Sequence, residues 1–540
     1  MDLSQDSLTL YDIYISSITQ NKDNYALSFA NEQELSYKEL GRLTDNLSGI
    51  LLENGISKGD KVAILGANSP NWVITYFAVV TTGSVAVPIL PDFTAFEIVN
   101  ILEHSETKAL VVSSKLSYKI PSHIHSKIPV ILDLDTLTLV KSSYSGDTIE
   151  MEKPSPEDIA SIIYTSGTSG ASKGVMLTHA NLVAQTRMSY DLFPINHNDV
   201  FLSILPLSHA YECSIGMLFP LTFGAKIVYL NGAPTPSLLM PALKLVKPTI
   251  ILSVPLVVEK IYKLKIRPMF TKNVISRILY SIGIVRRALH RIAGKKLTGT
   301  FGGKLRFFGI GGSKLDGAVE YFLRDAGFPY AIGYGLTETS PLLAGATPGK
   351  VKWQSTGPAL NGLKLKIIEP DNHGIGEIVA KGPNVMTGYF KDPESTQKAF
   401  TTDGWFRTKD LGFIDKDGYL FIKGRRDNML VGSNGENIYP EEVESILNEH
   451  DLVLESLVLE RKGKLVARVH FNYDEIKNTE QLISYSQNIS YKVKLDRIRS
   501  EVKEFVNDRV NKNSRIQEII EQPAPFEKTA TQKIKRYLYN

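Results

Sequence analysis

Up to about Gly357 the chain alternates short apolar runs with longer mixed stretches, the pattern of strands and helices in an α/β protein. The runs Ala109–Ser113, Val130–Leu134, Val200–Leu205, Lys226–Leu230, Ile250–Val254 and Arg306–Ile310 predict strands. From Val62 to Pro91 there is no charged residue, and a stretch that long could cross a bilayer. Asn68-Ser69-Pro70-Asn71 and Thr81-Thr82-Gly83-Ser84 cut it into three pieces. Val62–Leu65 and Val85–Leu90 then predict buried strands with a helix, Trp72–Val80, between them. This is a β-α-β unit of a parallel sheet covered on both faces.

Beyond Gly357 the spacing shortens. Leu363–Ile368, Ile378–Lys381 and Tyr419–Ile422 predict strands, with hairpin turns at Asp403-Gly404 and Asp417-Gly418. A smaller α+β unit follows Asp427, with elements at Glu441–Asn448, Glu455–Glu460 and Leu465–Phe471 and a charged helix near Asp496–Asn511. The expected organisation is an N-terminal domain over 1–424, mostly β from 357, a hinge at 425–427 and a C-terminal unit over 428–540.

Composition changes this picture little. Apolar residues at 43% and charged residues at 22% exclude a disordered chain, a fibre or a coiled-coil rod. The net charge of +4 is too small to imply nucleic acid. One cysteine, Cys213, excludes a disulfide framework and a Cys-clustered zinc site, and it fits a reducing compartment. The start, Met1-Asp2-Leu3-Ser4-Gln5-Asp6, has neither a basic nor an apolar region of the signal-peptide kind, so a cytoplasmic location is expected. Charge is uneven, however. Lys260–Lys314 holds fourteen Lys and Arg residues and no acid. Within it Val274, Ile275, Ile278, Leu279, Ile282, Val285, Leu289 and Ile292 recur at helical spacing. We read this as a surface helix packed on the core with a solvated basic face; the alternative is an amphipathic helix lying on an anionic membrane.

Candidate chemistry begins at Tyr164-Thr165-Ser166-Gly167-Thr168-Ser169-Gly170-Ala171-Ser172-Lys173-Gly174-Val175, after the strand Ile159–Tyr164. Its glycines let the backbone approach a ligand closely. Its hydroxyls and N–H groups can converge on phosphate oxygens, with Lys173 adding charge. It is not a Walker A loop, because Ser172 and Gly174 stand where that motif needs Gly and Ser or Thr. Gly309-Ile310-Gly311-Gly312-Ser313 closes another predicted strand, where a flat ligand can lie over the backbone. Cys213 has no identifiable acid–base partner and reads as a packed thiol.

The phosphate-type loop resembles the signature of the AMP-forming adenylating enzymes, which include the acyl-CoA synthetases, with Ser172 in place of the usual Pro. Further motifs similar to that family's follow in order. Leu205-Pro206-Leu207-Ser208-His209-Ala210-Tyr211-Glu212 resembles the long-chain acyl-CoA synthetase version of the second motif, which implies His209 in the carboxylate and acyl pocket. The resemblance implies Gly312 and Ser313 at the adenine edge. In Gly333-Tyr334-Gly335-Leu336-Thr337-Glu338-Thr339-Ser340 it implies Tyr334 and Gly335 at the adenine, Thr337 at a phosphate oxygen and Glu338 on Mg²⁺. Asp410, within Trp405–Gly412, would accept the ribose hydroxyls. Lys409 stands where the family has Gly, a strained choice if that backbone is left-handed. Arg425 would reach ribose or phosphate, Asp427 would be the pivot, and Lys533 matches the C-terminal catalytic lysine, with Gln532 for the usual Gly before it.

The implied fold is α/β: a large multi-layer N-terminal domain of two αβ subdomains and a small β-barrel, with a smaller mobile α+β C-terminal lid. The implied activity is ATP-dependent conversion of a fatty acid to acyl-AMP and pyrophosphate, then transfer to coenzyme A. Thr165, Ser166, Gly167, Thr168, Ser169 and Gly170 would bind ATP, and Lys173, His209, Glu338 and Lys533 would act in the reaction. The implied partners are the fatty acid, ATP, Mg²⁺ and coenzyme A, with no nucleic acid; contact with an anionic membrane and a homodimer are both allowed. The alternatives are an acyl-carrier-protein ligase, a ligase for another carboxylic acid, a luciferase-like oxidation of the adenylate, and a degenerate nucleotide-binding module.

Overall fold

The computed structural model describes residues 8–165, 172–271, 274–431, 437–461, 463–473, 476, 491–529 and 534–539. Two eight-stranded sheets carry most of the chain before Gly357. In spatial order the first runs Gly388–Tyr389, Lys173–Thr178, Ile159–Thr165, Val85–Ile89, Lys61–Leu65, Ala109–Val112, Val130–Asp133, Thr138–Ser142. Its five central strands are parallel. The second runs Leu342–Ala346, Tyr330–Gly335, Phe307–Ile310, Ile250–Ser253, Val200–Ser203, Lys226–Tyr229, Tyr25–Phe29, Leu35–Ser36, parallel except at its two edges.

The uncharged stretch resolves as the expected β-α-β unit, Lys61–Leu65, helix Pro70–Thr81 and Val85–Ile89. Ser69 caps the helix by accepting from the Trp72 N–H, and Pro70 occupies its first turn, where no donor is needed. Apart from Asn71 the helix is buried all round, as a helix inside a large protein must be. Among the described residues no helix is long and apolar enough to cross a membrane.

The β-rich part is a five-stranded antiparallel sheet in the order Gly357–Pro358, Tyr419–Arg425, Phe406–Ile414, Gly376–Lys381, Lys364–Ile368. Asp417-Gly418 turns its central hairpin. The barrel expected here is an open sheet among the described residues. One edge strand is two residues long and contains a proline, which has no N–H to extend a ladder. The next residue, Ala359, instead bridges to Ala344 and ties this sheet to the second large one.

The C-terminal part packs a separate core around Val443, Leu447, Val469, Phe471, Val502 and Val506. Its three strands are Val453–Arg461, Lys464–Phe471 and Glu518–Glu521, with helices Pro440–Asn448 and Tyr491–Asn507.

The basic segment departs from expectation. The helical spacing predicts one packed helix, but the chain forms two, Val274–Ser281 and Gly283–Thr300, broken at Ile282, whose ψ of 114° is extended. The aliphatic stripe is not buried: Ile275, Ile278, Leu279, Ile282 and Ile292 are exposed.

Candidate active site

Thr165 and Gly335 stand at the C-terminal ends of strands in the two large sheets, where open α/β sheets bind ligands, while Asp410 and Arg425 come from the antiparallel five-stranded sheet. Thr165 ends Ile159–Thr165 and pairs antiparallel with Lys173, so the two ends of the glycine-rich loop are held together. Ser166, Gly167, Thr168, Ser169 and Gly170 lie outside the described residues. Lys173 Nζ donates to Ser395 Oγ at 2.7 Å and stands 5.0 Å from the centre of the Tyr389 ring. The Tyr389 hydroxyl donates to Glu338 Oε1 at 2.9 Å. Burial and the Glu338 charge push the Tyr389 pKa up, so it remains a donor. One tyrosine thus brings Lys173 and Glu338 to the same place, and no sequence motif pointed to it or to Ser395.

A second group joins three distant segments. Tyr334 donates its hydroxyl to Asp410 Oδ2 at 2.6 Å, and Arg425 Nη1 lies 3.2 Å from Asp410 Oδ1. Burial works against the Arg425 charge, but Asp410, Tyr334, Glu338 and Asp427 outweigh it and hold its pKa above the ordinary value. Tyr334 is itself buried, and its hydroxyl has a task beyond offering a ring face: it orients Asp410. Glycine is required at 335, because a Cβ there would fall inside the Pro341 carbonyl. Thr337 and Glu338 follow on a single turn, Thr337–Thr339.

At the third strand end, Gly309–Ser313, other side chains of the chain pack close to the glycines. Tyr211 packs against Gly311, where a Cβ would stand 3.3 Å from its ring, and a Cβ on Gly309 would meet Leu252 and Phe307 at 2.9 Å and the Tyr211 hydroxyl at 3.0 Å. Only Gly312, with φ +93°, and Ser313 stay open to solvent. His209 is half-buried, and its Nδ1 accepts from the Tyr211 N–H at 3.3 Å.

Behind His209, Glu212 and Cys213 are buried in the π-helical turn Glu212–Leu218. Burial pushes the Cys213 thiol up to about 12, consistent with a packed thiol. Burial likewise pushes Glu212 up to about 8, the Ser203 hydroxyl at 2.6 Å working the other way. The folded chain therefore holds this proton more tightly than the unfolded chain between the ordinary value of 4.5 and about 8. Stability contributed at low pH is lost as pH rises through that window. Glu212→Gln keeps the Ser203 bond and removes the titration, so urea unfolding across this range should show a flatter pH dependence. A slope equal to the parent's would show that Glu212 does not titrate there.

Near the proposed pivot, Lys409 has φ +60°, so the left-handed backbone that glycine suits is present, and its Nζ lies 3.5 Å from Asp427 Oδ2. Arg426 is anchored on the buried Glu377 at 2.6 Å, which Arg407 also binds at 2.6 Å. Lys533 lies outside the described residues. On either side of it, Lys528 pairs with Glu455 and Arg536 with Glu444, and Lys528 bridges to Ile534. Among the described residues no three His, Cys, Asp or Glu side chains stand together as a metal cage. A lone carboxylate such as Glu338 fits Mg²⁺ only when nucleotide phosphates supply further oxygens.

The profile of the AMP-binding enzymes matches residues 16–390. The chain belongs to the AMP-binding enzyme family. It is an adenylating enzyme of the acyl/aryl-CoA ligase superfamily. It is 30% identical over 445 residues to the long-chain-fatty-acid–CoA ligase FadD15 of Mycobacterium bovis, covering 76% of this chain and 72% of that one. It is 27% identical over 502 residues to the 4-coumarate–CoA ligase of Vanilla planifolia, covering 85% and 84%. Among solved structures the enzyme superposes with a TM-score of 0.79 on the anthranilate CoA ligase AuaEII in complex with anthranoyl-AMP, at 23% identity, covering 100% of this chain and 98% of that one. It superposes with a TM-score of 0.76 on the o-succinylbenzoate coenzyme A synthetase of Bacillus subtilis in complex with ATP and magnesium ion, at 24% identity, covering 98% and 99%. The large N-terminal and smaller C-terminal parts of the enzyme follow that fold.

Proposed function

We propose that the enzyme is a long-chain fatty acid–CoA ligase that works in two steps. In the first, an oxygen of the fatty acid carboxylate attacks the α-phosphorus of ATP, the bond to the β-phosphate oxygen breaks, and acyl-AMP and pyrophosphate result. In the second, the coenzyme A thiol loses its proton as its sulfur attacks the acyl carbon, and AMP leaves. The observation that carries this reading is the convergence of Lys173 and Glu338 on Tyr389, beside the loop whose ends are Thr165 and Lys173. Charge grows on phosphate oxygens in the first step, and preorganised cations and donors stabilise it. Lys173, the Thr165 and Thr168 hydroxyls, Thr337 and Lys533 would supply them, and Mg²⁺ on Glu338 would supply Lewis-acid charge when bound. Tyr334, Gly335, Gly312 and Ser313 would hold the adenine, and Asp410, oriented by Tyr334 and Arg425, the ribose. His209 and Tyr211 would line the acyl pocket. The lid over 428–540 would turn about 425–427 between steps.

The long-chain substrate rests on Leu205–Glu212 and on the names of relatives such as FadD15. Pyrophosphate release with ATP is the test, run across fatty acids of increasing length and with 4-coumarate, o-succinylbenzoate and anthranilate. Long-chain acids should give the highest kcat/KM, and adding coenzyme A should yield the thioester. Preference for an aryl acid would overturn the substrate, and a thioester formed only on an acyl carrier protein would overturn the acceptor.

A further inference from the structure

We propose that the outer face of Val274–Ser281 and Gly283–Thr300 docks the enzyme on an anionic lipid bilayer. The orientation of both helices is set from inside. Tyr280 stacks on Phe270 at 5.3 Å and shares a hydrogen bond of 2.8 Å with His290 Nε2. His290, Ala293, Gly294 and Leu297 are buried, and a Cβ on Gly294 would stand 2.5 Å from the Ala326 carbonyl oxygen. The opposite face of the long helix therefore points away from the core. It carries Ile284, Arg287, Ala288, Arg291, Ile292 and Lys295, spaced by three and four residues and all exposed. On the shorter helix Ile275, Ile278 and Leu279 repeat the same spacing. Ile284 is 87% exposed, Ile275 71% and Ile292 67%. Side chains this apolar and this exposed are costly in water when clustered.

Charge selects the occupant. The face carries Arg291 and Lys295, with Arg287 at its flank 3.9 Å from Asp325, and the segment Lys260–Lys314 itself holds no acid, so a second copy presenting the same face would be repelled. A polynucleotide would satisfy the cations but leave the isoleucines in water. A bilayer of anionic lipid satisfies both: isoleucines enter the boundary between head groups and acyl chains while Arg and Lys stay among the phosphates. The bound species is thus a lipid surface of negative charge. This inference does not depend on the substrate proposed above.

Sedimentation of the full chain with vesicles tests it. The chain should bind vesicles of equal parts phosphatidylglycerol and phosphatidylcholine at low salt, and should not bind phosphatidylcholine alone. Binding should be lost at about 1 M salt, where the screening length is about 3 Å. Arg291→Gln with Lys295→Gln should weaken binding on the order of twenty- to thirty-fold, at about five-fold per charge. Ile284→Ser with Ile292→Ser should weaken it by about ten-fold or more. Pyrophosphate release by both variants at the parent's rate should confirm that fold and catalysis are intact, so a failure of the catalytic reading registers separately. Absence of binding to the anionic vesicles at low salt overturns the proposal. Unchanged binding by the isoleucine variant overturns it too, since it reduces the contact to charge adhesion. So does tighter binding to a polynucleotide than to the vesicles.

Discussion

Glu338→Gln should lower ATP-dependent pyrophosphate release by about 10²–10³-fold, roughly 2.7–4 kcal/mol of lost transition-state stabilisation, with little change in stability. Glutamine keeps an oxygen for the Tyr389 hydroxyl, now 2.9 Å from Glu338 Oε1, so local packing survives and only the charge is removed. The turn Thr337–Thr339 is held independently, through the Thr339 hydroxyl and the Met386 N–H donating to the Glu338 carbonyl at 2.8 Å. Urea unfolding should therefore stay within about 1 kcal/mol of the parent. Tyr389→Phe removes the hydroxyl that positions Glu338 while keeping the ring beside Lys173, and should cost less than the loss of the charge itself. Pyrophosphate release at saturating Mg²⁺ decides the matter. A parental rate for Glu338→Gln would exclude this carboxylate from the metal–phosphate interaction.

Much of this arrangement was legible in the chain because burial on both faces writes a plain signal. Val62–Leu65, Val85–Leu90 and the helix between them read correctly from the absence of charge and the placement of Ser, Pro and Gly. The segments carrying Glu338, Asp410 and Arg425 were also legible as motifs. What pairs with what was not. Tyr334, Asp410 and Arg425 meet across strand register, and no local pattern encodes that. Gly311 also makes room for the ring of Tyr211, a residue a hundred positions earlier, which no local pattern encodes. The stripe from Val274 to Ile292 is interrupted at Ile282, where one helix ends before Gly283 begins the next. Periodicity reports one apolar face but not whether the protein covers it.

The two lid variants Lys533→Ala and Asp427→Pro should separate the half-reactions in opposite directions. The segments on either side of Lys533 are tied to the C-terminal part by Lys528–Glu455 and Arg536–Glu444, so in the proposed alternation they would move with that part. In the first step the carboxylate adds to the α-phosphorus itself and charge gathers on its oxygens, and this is the step Lys533 is proposed to serve. Lys533→Ala should thus slow acyl-adenylate formation by about 10²–10³-fold and leave thioester formation from added acyl-adenylate nearly unchanged. The pivot has the other dependence. Asp427 lies in the short turn Arg426–Asn428, where proline's missing donor is least costly. The contacts that hold the lid as found include Arg267–Asp451 at 2.6 Å, Lys423–Glu442 at 2.5 Å, the Tyr439 hydroxyl donating to Asp371 at 3.3 Å, and Lys263 and Arg267 donating to the Asn448 and Glu449 carbonyls. Ion pairs this exposed contribute about 0–1 kcal/mol each, so in the proposed alternation they would steer the lid without locking it, and backbone rotation at 425–427 would be the controlling motion. Arg426 is fixed on Glu377 in the five-stranded sheet, which leaves the next residue to absorb the turn. A proline at 427 fixes φ there, so this variant should form acyl-adenylate and transfer it poorly to coenzyme A. Single-turnover measurement of each half-reaction distinguishes the cases. Equal slowing of both halves in both variants would mean that the lid does not alternate and that Lys533 belongs only to a basic tail.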